Sequence, residues 1–230
     1  MNHETVSLYK RSVCEALGTG LLVAAVVGSG IMGERLAGGN VAIALLANTI
    51  ATGAALAALI VTFASFSGAH LNPAVTLAFG LRKRMPWREV PFYVGAQFAG
   101  GLAGTILAHL MFGHSWYSIS THERSGLSQV LSEFVAAFGL VCVIWGCMRV
   151  HSALASPLAV ASYIVAAYWF TASTSFANPA VTLARSITDT FSGIRPADVP
   201  GFVFAQVAGA AVATLLFAWL ERRPLAALES

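Results

Sequence analysis

Two identical heptapeptides, Asn-Pro-Ala-Val-Thr-Leu-Ala, stand at residues 72–78 and 178–184. Each begins with a side-chain amide followed by proline: Asn72-Pro73-Ala74 in the first, Asn178-Pro179-Ala180 in the second. This is the chemistry of hydrogen bonding at a helix start, not of bond breaking. An Asn before Pro is kept out of the α region. Proline suits the first turn of a helix, where its missing N–H is not needed. Each segment therefore reads as an N-cap and a short helix running away from its Asn. Two such helices meeting head to head present two positive dipole ends, about +0.5 charge each, and two amides. That combination offers hydrogen bonds to neutral polar solutes and repels cations, protons included. A kink in a long helix is the competing reading for one copy, but it fits two in-register copies poorly.

Glu15 and Glu133 lie beside or within apolar stretches, and a carboxylate in such a place is a functional candidate by default. Two roles are open: proton-coupling groups of a transporter, or acceptors that brace neighbouring backbone. Their equivalent placement favours the second. His70, in an uncharged stretch, reads either as a lining residue or as a satisfied core histidine. Cys14, Cys142 and Cys147 show no CxxC pattern and no even count, so neither a disulfide framework nor a zinc site is expected. With no nucleophile–base set, no metal cluster and no implied cofactor, an enzyme is not expected.

The elements that must position these residues are apolar. Of the 230 residues, 57% are hydrophobic and only 10% charged, against about 25% charged in soluble domains; mean hydropathy is +0.74. The net charge of +3 comes from 13 scattered Lys and Arg, with no run longer than 82–84, which is no footprint for nucleic acid. Charged residues are absent from 16–33, 36–81, 90–108, 134–148, 150–184 and 199–220. A spanning helix needs about 20 apolar residues. The first, third and last gaps fit one helix each, and the fourth becomes a span if it starts near Ser128. The gaps 36–81 and 150–184 are too long for one helix, and each contains an Asn-Pro. Each reads as a span followed by a re-entrant half-helix. The expected fold is therefore all-α and membrane-embedded, with six spans and two half-helices.

The copies stay in register around the heptapeptides. Glu15 matches Glu133, and Val90-Pro91 then Gln97 match Val199-Pro200 then Gln206. Each half (7–112 and 127–222) holds three spans, an odd number, so the second is inverted relative to the first. The chain 1–230 reads as one such domain, with the two Asn meeting near the midplane. The approaches to them must line an enclosed or watery path, because lipid-exposed irregular backbone is forbidden. By the positive-inside rule, Lys10, Arg11, Arg82, Lys83, Arg84, Arg88, Arg149, Arg222 and Arg223 mark the cytoplasmic side, leaving Arg35, Arg124, Arg185 and Arg195 outside. Both termini are then cytoplasmic, and a bacterial inner membrane is the expected location. Gly18, Gly20, Gly95, Gly100, Gly104, Gly139 and Gly209 are expected at close helix contacts.

SGAHLNPAVT (67–76) and FANPAVT (176–182), with these Glu and Gln placements, resemble the aquaporin or major intrinsic protein family over residues 7–222. The resemblance implies passive conduction through one pore per chain, usually four chains together, with no cofactor. It implies that Asn72 and Asn178 are midplane donors, that Glu15 and Glu133 brace the two loops, and that His70 lines the cytoplasmic approach. Family members narrow at four positions, which count here to Thr52, Ala166, Ser175 and Val181. The arginine usual at the last position is absent. Arg185, one turn beyond Val181, reads either as a charge at the outer mouth or as a marker of the half-helix end. Four small uncharged side chains imply an open filter. The expected cargo is then water and small neutral solutes: metalloid hydroxides such as arsenite, and glycerol-like polyols. A water-selective pore and an ion- or proton-coupled transporter are the alternatives.

Overall fold

The computed structural model describes residues 6–150 and 152–222. Among the described residues six long helices are present: α1 (Leu8–Leu36), α2 (Val41–Ser67), α4 (Val90–Met111), α5 (Leu127–Cys147), α6 (Ala155–Phe170) and α8 (Val199–Leu220). Two short ones, α3 (Pro73–Leu81) and α7 (Pro179–Ala184), follow the Asn-Pro steps. Among the described residues there is no strand. Five of the long helices have the length and apolarity to cross a membrane. The sixth, α6, has 16 residues, about 24 Å at 1.5 Å per residue. It is shorter than the full span expected because the chain takes turns before Ala155.

The halves mirror each other in packing. α1 packs on α4 as α5 packs on α8, and α2 meets α6 where the halves join. Small residues make the first two contacts close. A Cβ on Gly100 would lie 2.1 Å from the Ala16 carbonyl oxygen, and one on Gly209 would lie 2.3 Å from that of Phe134. Ala16 and Phe134 each follow a buried Glu, and each glycine lies three residues after a buried Gln, so the two contacts are equivalent. Gly95, expected in the same role, has nothing near its Cβ position. It lies on an exposed face of α4.

Arg82 caps the C-terminus of α3 and Arg185 that of α7, and these two arginines mark opposite ends of the bundle. At the Arg82 end, Arg82 pairs with Glu221 at the close of α8, and Arg11 pairs with Glu89 at 2.8 Å. At the Arg185 end, the loop before α5 is tied to the loop after α7. Ser118 and Ser120 N–H donate to the Ile187 and Ser186 carbonyls at 3.0 Å. Thr121 gives its backbone N–H at 2.8 Å and its hydroxyl at 3.0 Å to Asp189, which holds that carboxyl below the usual aspartate range. Arg223, counted above with the cytoplasmic cations, lies outside the described residues.

Candidate conduction site

Each half-helix begins as its sequence dictates. Asn72 is extended, at φ −158°, and its Oδ1 accepts from Ala74 N–H at 2.9 Å. Asn178, at φ −154°, accepts from Ala180 N–H at 2.9 Å and Val181 N–H at 3.3 Å. Pro73 and Pro179 occupy the first helical positions. The two starts are stapled to each other across the molecule. Asn72 Nδ2 donates to the Ala177 carbonyl and Asn178 Nδ2 to the Leu71 carbonyl, both at 2.8 Å. An amide NH₂ has two hydrogens, so one donor on each Asn remains for whatever passes.

Behind each loop sits a carboxylate. Glu15 accepts from Ser67 Oγ (2.7 Å), His70 N–H (3.0 Å), Leu71 N–H (2.7 Å) and Gln97 Nε2 (2.7 Å). Glu133 accepts from Ser173 Oγ (2.6 Å), Phe176 N–H (2.8 Å), Ala177 N–H (2.8 Å) and Gln206 Nε2 (2.5 Å). The same glutamines reach Thr76 Oγ1 at 2.9 Å and Thr182 Oγ1 at 2.8 Å, and those hydroxyls bond the Asn72 and Asn178 carbonyls. Both carboxylates are fully buried with four donors apiece, which fills the acceptor capacity of their oxygens.

Turning the loop N–H groups toward the carboxylates turns the carbonyls the other way. Ala69 (φ 48°), Leu71 (φ 50°), Ser175 (φ 47°) and Ala177 (φ 48°) are held in the left-handed region, each at a cost of about 1–3 kcal/mol. Their positions correspond between the repeats. Among the described residues no protein donor reaches the carbonyls of residues 68–70 or 174–176. Residues 68–72 and 175–178 line a cavity of about 240 Å³. Backbone carbonyls left free along such a cavity are acceptors that can bond water or a hydroxylated solute without taking up a proton. The His70 ring stands between Thr76 Oγ1, 3.2 Å from Nδ1, and the Phe79 ring, 4.3 Å between centroids.

The lining differs from expectation at the Arg185 end. Thr52, Ser175 and Val181 line the cavity. Ala166 does not; it is exposed on the outer face of α6. The stripe of α6 that faces the cavity is Ser156, Val160, Ile164 and Tyr168, one residue per helical turn. Tyr168 is buried, and its hydroxyl donates to Thr52 Oγ1 on the neighbouring helix α2 at 3.4 Å. Counting back from Asn178 put the lining position two residues too early.

Arg185 also lines the cavity. Only 2% of it is exposed. Its Nε donates to the Ser192 carbonyl, its guanidinium carbon lies 3.4 Å from the centroid of the Phe176 ring, and Nη1 has no partner among the described residues. Ser175 Oγ is likewise buried and unpartnered. The lumen here carries two aromatic rings and a guanidinium, not four small uncharged groups. Tyr168 and Phe176 are the residues that sequence reasoning missed. The four-residue period Ser156–Val160–Ile164–Tyr168 is the one signal that could have found Tyr168.

The sequence and the fold are shared with known proteins. The family description "Major intrinsic protein" matches residues 2–167. Aquaglyceroporin AqpS of Rhizobium meliloti (strain 1021) is 59% identical over 213 residues, covering 93% of this chain and 91% of its own. Aquaporin NIP1-3 of Oryza sativa subsp. japonica is 32% identical over 213 residues, covering 90% of this chain and 73% of its own. In fold, the X-ray structure of the aquaglyceroporin from Plasmodium falciparum superposes with a TM-score of 0.71 at 19% identity, over 92% of this chain and 96% of that one.

Proposed function

This chain belongs to the major intrinsic protein family and is a membrane channel for water and small solutes, not an enzyme; from that premise we propose which solutes pass and where they are sorted. Thr52, Tyr168, Ser175 and Arg185 form the selectivity constriction, with Val181 as its apolar wall. Water, glycerol-like polyols and neutral metalloid hydroxides such as arsenite are the cargo. The observation that carries this reading is the pair of buried, unpartnered groups Arg185 Nη1 and Ser175 Oγ in an otherwise largely apolar lumen. A buried donor without a partner costs about 1–3 kcal/mol, and a hydroxylated solute in transit supplies the missing partner. Anything carrying positive charge meets the guanidinium and two helix N-termini.

The name of the 59%-identical relative, an aquaglyceroporin, supports polyol passage. Residues 1–230 act as one channel domain, and four chains assemble, one pore in each. The Arg82 end faces the cytoplasm of a bacterial cell, so that Arg185 stands at the outer mouth and His70 on the cytoplasmic approach. Saturation of Glu15 and Glu133 by four donors each supports bracing over proton coupling. A water-selective channel is the second reading, favoured by the ring of Tyr168 and the guanidinium of Arg185 narrowing the lumen.

Paired water and solute flux in the same liposomes separates the two. The parent protein is expected to pass glycerol and arsenite, and Tyr168→Ala is expected to raise solute flux relative to water several-fold. If the parent excludes every solute larger than water, the water-channel reading replaces this one.

A further inference from the structure

Arg185 is a buried pore-lining arginine that is not held by an ion pair. Among the described residues no carboxylate oxygen lies within ion-pair distance of it. Its fixed contacts are the Ser192 carbonyl on Nε and the face of Phe176, with the guanidinium carbon 3.4 Å from the ring centroid. The same ring lies 5.0 Å from the Arg124 guanidinium carbon. Arg124 is itself fixed: Nε donates to the Gly193 carbonyl at 2.8 Å and Nη1 to the Ser173 carbonyl at 3.2 Å. One aromatic ring thus serves two guanidinium groups in a buried site.

The ring is well placed for that task. Phe176 is 4% exposed, its N–H is tied to Glu133 at 2.8 Å, and Phe202 packs edge-on at a centroid distance of 5.3 Å. Its backbone is therefore set by the loop brace and its plane by α8. The negative face of an aromatic ring attracts a guanidinium most strongly where water is excluded, and the planar fork stacks flat on it. A side chain with three or more free torsions is thereby fixed without a counter-ion whose negative charge would cancel its field.

We infer that Phe176 is a positioning residue for selectivity: its ring face clamps Arg185 against the wall of the lumen, so that Nη1 points to passing solute while the lumen stays wide enough for a polyol. The inference rests on the reading of Arg185 as the constriction's charge. Without the ring the guanidinium regains hydration by reaching into the lumen, which narrows the path for large solutes more than for water.

The experiment uses the full chain in liposomes, with Phe176→Leu and Phe176→Met as two apolar replacements and Phe176→Tyr as the variant that keeps the ring face. Two readouts are taken: the glycerol-to-water flux ratio, and the rate at which phenylglyoxal modifies Arg185, followed on its peptide by mass spectrometry. Phe176→Leu and Phe176→Met are expected to lower the flux ratio several-fold and speed Arg185 modification several-fold. Phe176→Tyr is expected to restore both to near the parent values. Arg185→Leu should instead raise the ratio, and adding Phe176→Leu to it should change the ratio no further. A purely structural role for Phe176 would lower the ratio equally in the Arg185→Leu background, and that result overturns the inference. An unchanged Arg185 modification rate in both apolar variants also overturns it. If Arg185→Leu leaves the ratio at the parent value, the constriction reading fails instead, while the modification rate still judges the clamp.

Discussion

At the scale of single residues, the two asparagines have every polar function assigned. Oδ1 caps its own half-helix, one Nδ2 hydrogen is given to the opposite loop, and one is left for the lumen. Asn72→Asp or Asn178→Asp removes both donors and places a negative charge where two helix N-termini meet. The opposite carbonyl, at Ala177 or Leu71, then loses its partner inside the protein, at a cost of about 1–3 kcal/mol. The expected outcome is a rise in cation conductance with a fall in neutral-solute flux, measured by electrical recording and stopped-flow on the same preparation. Unchanged conductance and unchanged flux in both variants would remove the midplane role. Glu15 and Glu133 illustrate the opposite case, groups whose chemistry is fully consumed. A carboxylate with four donors has little capacity left for a travelling proton.

At the scale of elements, the closeness of α1 to α4 and of α5 to α8 decides whether the braces can reach their loops. Glu15 bonds Gln97 on α4, and Glu133 bonds Gln206 on α8; both bonds exist because a glycine nearby lets the backbones approach. Gly100→Ala and Gly209→Ala each insert a Cβ 2.1 Å and 2.3 Å from a backbone oxygen, which no side-chain rotation relieves. Each should destabilise the fold by roughly 1–3 kcal/mol, seen as a fall of several degrees in the unfolding temperature in detergent. Gly95→Ala, with nothing near the added methyl, is the control and should stay within about 0.5 kcal/mol of the parent. Equal effects at all three sites would mean that helix propensity, not approach, sets the cost. The half-helices also show what identical sequence does not fix. Both share seven residues, yet α3 runs for nine and α7 for six before tightening into a 3₁₀ turn at Arg185–Ile187. The residues after the repeat differ, and Ile194 N–H donates to the Arg185 carbonyl at 3.2 Å, drawing the chain into the loop.

At the scale of the whole molecule, the described cations are unevenly shared. Lys10, Arg11, Arg82, Lys83, Arg84, Arg88, Arg149 and Arg222 lie at the Arg82 end, and Arg35, Arg124, Arg185 and Arg195 at the other. The bias predicts insertion with the Arg82 end inside. A reporter that fluoresces only in the cytoplasm, fused after Ser230, is expected to be bright. A dark fusion whose channel still conducts would reverse the orientation and move Arg185 to the inner mouth.

The sequence by itself determined the membrane class, the number of long and half-length helices, the inverted pairing of the halves and the registration of Glu15 with Glu133 and Gln97 with Gln206. Those features are written in charge-free lengths, an exact repeat and proline geometry, all of which act locally. Only the tertiary structure decided which face of each helix looks into the lumen. In water a helix declares its buried face by an apolar stripe. In a bilayer both the lipid-facing and the packed sides are apolar, so rotation about the axis leaves almost no trace in the sequence. That is why spacing from Asn178 led to Ala166, which faces outward, while α6 turns Tyr168 inward. It is also why the Phe176–Arg185 stack was hidden: nine residues apart, the two meet only because the chain doubles back through Asn178 into a half-helix, and the ring face that holds the charge is a product of that fold.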